Sequence, residues 1–136
     1  MNMNRYLTAA LCLIIGCDTG LSETGTKVEL CEGSELDEID PVDLEQFAID
    51  DNELTVTVGY GGGCEDHFFR MCWDGSVAES APVQISLNLI HDGNGDSCEA
   101  YITEDLVFDL SPLDEGISTE TADLSVNGAS AGSYAP

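Results

Sequence analysis

The chain has 136 residues, enough for one modest core, and its 43% hydrophobic content is that of a folded domain rather than a disordered segment. Its charge is extreme: 27 Asp and Glu stand against three basic residues, Arg5, Lys27 and Arg70, for a formal net charge of −24. A surface of that sign repels phosphate backbones and anionic headgroups, which are bound through Lys and Arg with counterion release. Nucleic-acid binding is therefore effectively excluded, and the acids read first as a well-solvated exterior.

Residues 1–16 read as an export signal. Arg5 supplies the positive start, and Leu7 to Ile15 (LTAALCLII) supply the apolar stretch. As a helix this stretch rises about 14 Å, against the roughly 30 Å of a bilayer core, so it is too short to span. The next residues, Leu13-Ile14-Ile15-Gly16-Cys17, resemble the lipobox of bacterial lipoproteins. The resemblance implies cleavage after Gly16, a diacylglycerol on the Cys17 thiol, and a domain held outside the cytoplasm on the inner or outer membrane. Asp18 also resembles the inner-membrane retention signal of enteric bacteria. No acid precedes Cys17 and Arg5 leaves with the signal, so two basic residues and 27 acids remain, a charge of −25. Cys12 is lost and Cys17 acylated. Cys31, Cys64, Cys72 and Cys98 are left in an oxidising compartment, where two disulfides with three possible pairings are expected.

Taken in chain order, Cys17 to Thr26 is expected to be a lipidated tether; its polar part, DTGLSETGT, is at most about 30 Å long when extended. Lys27 to Cys31 reads as a short strand. Glu32 to Glu45 is dense in carboxylates, and Asp40-Pro41 with Asp43 suits either one capped helical turn or a solvated loop. Phe47 to Ile49 leads through Asp50-Asp51-Asn52, a hairpin connection, into Leu54, Val56, Val58 and Tyr60, which alternate with polar or small residues as in a half-buried strand. Gly61-Gly62-Gly63 ends that strand. His67 to Trp73 gives the next, with Phe69, Met71 and Trp73 on one face and Phe68, Arg70 and Cys72 on the other. After the Asp74-Gly75 turn, Val83, Ile85, Leu87 and Leu89 point inward from Pro82 to Ile90. Tyr101 to Thr103 and Leu106 to Leu110 supply one long or two short strands, stopped by Ser111-Pro112. No segment after the signal keeps a helical period, so the fold expected is all-β: a small antiparallel β-sandwich, immunoglobulin-like or related, over 27–113. Residues 114–136 read as a polar tail with at most one edge strand at Ala122 to Val126.

From Tyr60 to Leu113 the chain resembles a group of short bacterial lipoproteins. The matching residues are Tyr60-Gly61-Gly62-Gly63-Cys64, His67, Trp73-Asp74-Gly75, His91, Cys98-Glu99-Ala100 and Phe108-Asp109-Leu110-Ser111-Pro112-Leu113. The resemblance implies a lipid-anchored β-domain and no particular activity.

Two constellations have chemical content. Cys64-x-x-His67 and His91-x6-Cys98 offer thiolate and imidazole ligands for a Cys2His2 Zn²⁺ site. The same residues also read as a Cys64–Cys98 disulfide with the histidines hydrogen-bonded nearby, and oxidation outside the cytoplasm favours this reading. Closing that loop of roughly 35 residues is worth about 4 kcal/mol on the chain-entropy model, and Cys31–Cys72 then follows by elimination. Asp92, Asn94 and Asp96 place oxygen ligands at alternate positions, as at the start of a Ca²⁺ loop. Ser97 and Thr103 stand where such a loop needs Gly and a bidentate Glu, unless Glu99 or Glu104 substitutes. An ordinary polar turn explains the same residues. There is no G-x-S-x-G elbow, P-loop, H-E-x-x-H or dinucleotide fingerprint. No catalytic residue is assigned, and a general base at His67 or His91 has no nucleophile to serve. The expectation is a lipid-anchored envelope protein with a structural or binding role and no cofactor, the alternative being a module for Ca²⁺ or Zn²⁺.

Overall fold

The computed structural model describes residues 25–33, 39–118 and 121–136. The expected signal, Cys17 and most of the tether lie outside the described residues. The strands are β1 (Thr26–Lys27), β2 (Glu29–Leu30), β3 (Asp43–Asp50), β4 (Glu53–Gly62), β5 (Phe68–Trp73), β6 (Val83–Asp92), β7 (Ala100–Asp109), β8 (Ala122–Val126) and β9 (Ala129–Tyr134). They form two sheets, of order β1-β7-β4-β3 and β2-β5-β6-β8-β9. The expected β-sandwich is what the chain makes, with antiparallel long pairs and three parallel ones, β1 on β7, β2 on β5 and β6 on β8.

The period-2 pattern decides which side chains fill the space between the sheets. Leu54, Val56, Val58 and Tyr60 of β4 face Met71 and Trp73 of β5 and Val83, Ile85, Leu87 and Leu89 of β6, all buried in one cluster with Phe108 and Leu110. Thr55 and Thr57 take the outer face of β4, half-buried. The β3–β4 hairpin closes through Asp51-Asn52, with Asp51 at φ 55°, as a two-residue turn requires. β7 is one continuous strand, in register with β4 from Glu53 opposite Asp109 to Gly62 opposite Ala100.

Three local expectations need correction. The single strand at Lys27–Cys31 is two short pieces that change sheets at Val28. That buried side chain enters the core while its amide donates to the Asp109 carbonyl at 3.1 Å. No helical turn forms at Asp40–Asp43: the Asp40 amide donates to the His91 carbonyl at 2.9 Å, and Asp43 begins β3. Of residues 114–136, the strand expected at Ala122 to Val126 forms as β8, inside the sheet between β6 and β9 rather than at its edge, and the rest is not a polar tail. These residues make a short helix, α1 (Asp114–Ile117), and a β8–β9 hairpin, and they bury Ile117, Ala122, Leu124, Val126, Ala131 and Tyr134. The physical reason is the edge of β6, whose residues Val83 to Leu87 pair with all of β8. The local signal was Asn127-Gly128, both at positive φ (50° and 87°), the turn chemistry of a two-residue hairpin. The Tyr134 hydroxyl then donates to Asp114 at 2.6 Å, tying the last strand to α1.

Leu124 measures how far this hairpin belongs to the core. Leu124→Ala should cost about 2–5 kcal/mol, as for other buried leucines, read as a lowered urea midpoint. A solvated tail would give no change.

Candidate functional site

The sequence-selected histidines and the Cys64–Cys98 pair meet at one end of the sandwich, where β4 and β6 finish and β5 and β7 begin. β4 runs out through Gly62 into Gly63, whose φ of +117° is a conformation side chains rarely adopt. At Gly62 an added Cβ would lie 2.6 Å from His67 Nε2 and 2.7 Å from Asp96 Oδ2, so only glycine lets the loop close over that pair. The turn aims three successive amides, those of Gly63 (2.9 Å), Cys64 (3.0 Å) and Glu65 (3.0 Å), at a single oxygen, Oδ2 of Asp96. Such a run of amides is an anion-binding nest, and here a carboxylate of the same chain fills it. His67 Nε2 donates to the same oxygen at 2.9 Å, and the Cys98 amide donates to Oδ1 at 3.0 Å. The Asp96 side chain is fully buried and that of His67 is 4% exposed. These donors, His67 first and then the backbone amides, outweigh burial and hold the Asp96 carboxyl well below the usual carboxylate range.

The chain of bonds continues inward. His67 Nδ1 lies 2.8 Å from His91 Nε2, and His91 Nδ1 lies 2.9 Å from the Pro41 carbonyl. A carbonyl only accepts, so the Pro41 bond places a proton on His91 Nδ1. His67 Nε2 donates to the carboxylate, and one proton serves the bond between the two rings. Phe69 stacks on His91 at 4.6 Å, and Tyr60 lies 4.5 Å from His67, so both rings are packed against aromatic faces. The Tyr60 hydroxyl donates to Glu104 at 2.6 Å, and burial first, then that bond, pushes its pKa up to about 12.

The sulfur chemistry is settled by pairing: Cys64 is bonded to Cys98 and Cys31 to Cys72, with Cα separations of 5.9 and 5.4 Å. The Cys64–Cys98 bridge joins the two loops that Asp96 also joins. The Cys31–Cys72 bridge packs with Ile90 on the outer face of the other sheet, beside Arg70, which donates twice to Glu29 Oε1.

The metal readings do not fit these residues. Among the described residues one group of three ligand atoms lies within 4.8 Å, from Cys64, Asp96 and Cys98, but its two sulfurs are joined to each other. For Ca²⁺, both Asp96 oxygens already face N–H donors, the reverse of what a cation needs, and Asp92 Oδ1 accepts the Asn94 amide of its own turn at 2.9 Å. Asn94 and Gly95 occupy the left-handed region (φ 58° and 69°), so this segment is a polar turn. A cleft of about 340 Å³ opens beside the cluster, lined by Asp40, His67, His91, Gly93, Asp96 and Cys98 among others. Each histidine nitrogen is already bonded, so the geometry is that of a clamp on three loops rather than a base awaiting a substrate.

Sequence reasoning did not reach Asp40, which accepts the Gly93 amide at 2.6 Å, the Pro41 carbonyl or Tyr60. The run Gly61-Gly62-Gly63 before Cys64 was the available signal for an anion nest. No model of a protein family matches the sequence, and no curated protein matches it. The fold is similar to three crystal structures: a NigD-like immunity protein from Bacteroides caccae (16% identity, TM-score 0.60), a toxin-related protein from Parabacteroides distasonis (26%, 0.56) and a protein of unknown function from Bacteroides vulgatus (13%, 0.56). Each match covers 83% of this chain but only 64, 57 and 56% of the other, so the chain spans about three fifths of the length of the structures it resembles. The likeness establishes a shared β-sandwich, and none of the three is named as an enzyme.

Two outcomes follow from the clamp. A carboxyl held below its unfolded value of 3.8 contributes stability that is complete above that pH and lost as pH falls below it. The urea midpoint should therefore decline on acidification below about pH 4. Asp96→Asn should lower the midpoint at neutral pH and flatten the decline, with Asp74 and Asp109, also held low, supplying the residual slope. Limited reduction separates the bridges: Cys64 is exposed whereas Cys31 and Cys72 are buried. Alkylation under mild reductant should label Cys64 and Cys98 first.

Proposed function

We propose that the chain is a lipid-anchored protein of the bacterial cell envelope, displaying this domain outside the cytoplasm in a binding or structural role, without catalysis. The observation that carries the reading is the division of the six cysteines. Four close into Cys31–Cys72 and Cys64–Cys98. The other two are Cys12, inside the apolar N-terminal stretch, and Cys17, in the lipobox-like motif. Disulfides of this kind persist in oxidising compartments, and one further cysteine directly after a short apolar segment is what acylation needs. No helix among the described residues is long and apolar enough to cross a membrane, so the acyl chains on Cys17 would be the anchor.

The binding role is supported by the satisfied state of the buried polar cluster, which leaves no idle acid, base or nucleophile there. A binding role is also in keeping with the names of two fold neighbours, an immunity protein and a toxin-related protein. Expression with labelled palmitate tests the anchor. Wild-type protein should take up label and sediment with membranes. Cys17→Ser should stay unlabelled while both domain disulfides form. A labelled Cys17→Ser protein, or wild type that keeps its first sixteen residues, overturns the reading.

A further inference from the structure

One side of the sandwich is incompletely closed. β1 covers β7 only at Phe108 and Asp109, and β2 covers β5 only at Cys72 and Trp73. Among the described residues, Ala100 to Val107 of β7 are therefore paired on the β4 side alone, and Phe68 to Met71 of β5 on the β6 side alone. A cleft of about 320 Å³ opens here, bounded by Gly25, Phe69, Asp105, Leu106 and Phe108 among others. Phe69, Ile102 and Leu106 reach the core from this side and stay only half-buried.

We propose that the open edge of β7 is a docking site for an extended cationic segment of another protein, added to the sheet as a further strand. The inference rests on the binding role above and names the partner by its chemistry. An unpaired row of backbone donors and acceptors is a ready template for such addition. Charge then selects the occupant. Glu104 shares the inward face of β7 with Ile102 and Leu106, in register with Val58, and Asp105 stands on the outer face. An inward-pointing charge on an edge strand opposes pairing with a second copy of the same edge, because the acids would meet. Lys27 is spent on Asp109 at 3.7 Å and Arg70 on Glu29. The complement is a strand whose inward face sets apolar residues opposite Ile102 and Leu106 and a Lys or Arg between them opposite Glu104, with a second Lys or Arg on the outer face at Asp105.

The probe is a synthetic peptide as long as the open edge, with valine opposite Ile102 and Leu106 and lysine opposite Glu104 and Asp105, titrated against the full chain in detergent and followed by hydrogen exchange. Binding should saturate, slow exchange in β7 between Ala100 and Val107, and weaken about tenfold in Glu104→Lys and in Asp105→Lys. Asp105 is exposed, so its variant guards against a folding defect in the first. A peptide of equal charge with proline replacing valine lacks the amides for a ladder and should not bind. Equal binding by that peptide, protection elsewhere, or no binding by the valine–lysine peptide overturns the proposal. So does slow exchange, before any peptide is added, at those amides of Ala100–Val107 that point away from β4, which would mean that the chain's own N-terminal residues or a second copy already fill the edge. Palmitate labelling at Cys17 is indifferent to all of these results, so the anchoring reading fails or stands separately.

Discussion

A carboxylate removed from water is tolerated only where donors replace its hydration, and Asp96 is enclosed by five of them. Each donor comes from a loop that must arrive in a particular conformation. The Gly63–Glu65 turn has to present its amides together, which requires glycine at 62 and 63. His67 has to point back over that turn, where its other nitrogen is held by the bond to His91 Nε2. His91 in turn is fixed by the Pro41 carbonyl. One buried charge thus sets the shape of the loops at 40–41, 61–67 and 91–98, and it couples both sheets at their common end. Removing a single partner would leave the others buried without bonds, which makes a network of this kind cooperative rather than a sum of weak contacts.

The Cys64–Cys98 disulfide and the Asp96 network act on the same two loops by different physics. The disulfide, closing a separation of 34 residues, limits the freedom of the unfolded chain by about 4 kcal/mol on the entropy model. The network selects one folded arrangement through directional bonds. A chain with 27 acids and three bases carries self-repulsion that disfavours compaction, and two crosslinks in a small core offset it. With Lys27 and Arg70 the only permanent cations past residue 5, the donors around Asp96 are four backbone amides and a histidine.

What was legible in the sequence follows from the range of the forces involved. β4, β5 and β6 were readable because one face of each is buried, so burial writes its period directly into Leu54–Tyr60, Phe69–Trp73 and Val83–Leu89. The disulfide at the site was readable from the mirrored placing of Cys64 with His67 and Cys98 with His91. The role of Asp96 was not. Its neighbours Asp92 and Asn94 suggested a cation loop, while all but one of its partners, the Cys98 amide, lie 29 to 33 residues away, beyond any local pattern. β9 was hidden for another reason: Ala131 and Tyr134 are its only buried residues, so small side chains left almost no hydrophobic period to detect. The change of sheet at Val28 is likewise a property of two partners, β7 and β5, neither of which is near in sequence.

Structures at 13 to 26% identity share this sandwich while carrying longer chains, so any difference in role has to lie in loops and edges rather than in the layers. The two ends of the problem are visible in this molecule. At the clamp, polar groups that look chemically active have spent their hydrogen-bonding capacity on each other, and a rigid end is the result. Along β7 the opposite holds: among the described residues no strand pairs with the side of Ala100–Val107 that faces away from β4, beside apolar side chains that the core covers only in part. In a protein whose polar core is otherwise closely satisfied, such an edge marks the place where an interaction can be supplied. The acids at 104 and 105 restrict which strand can supply it.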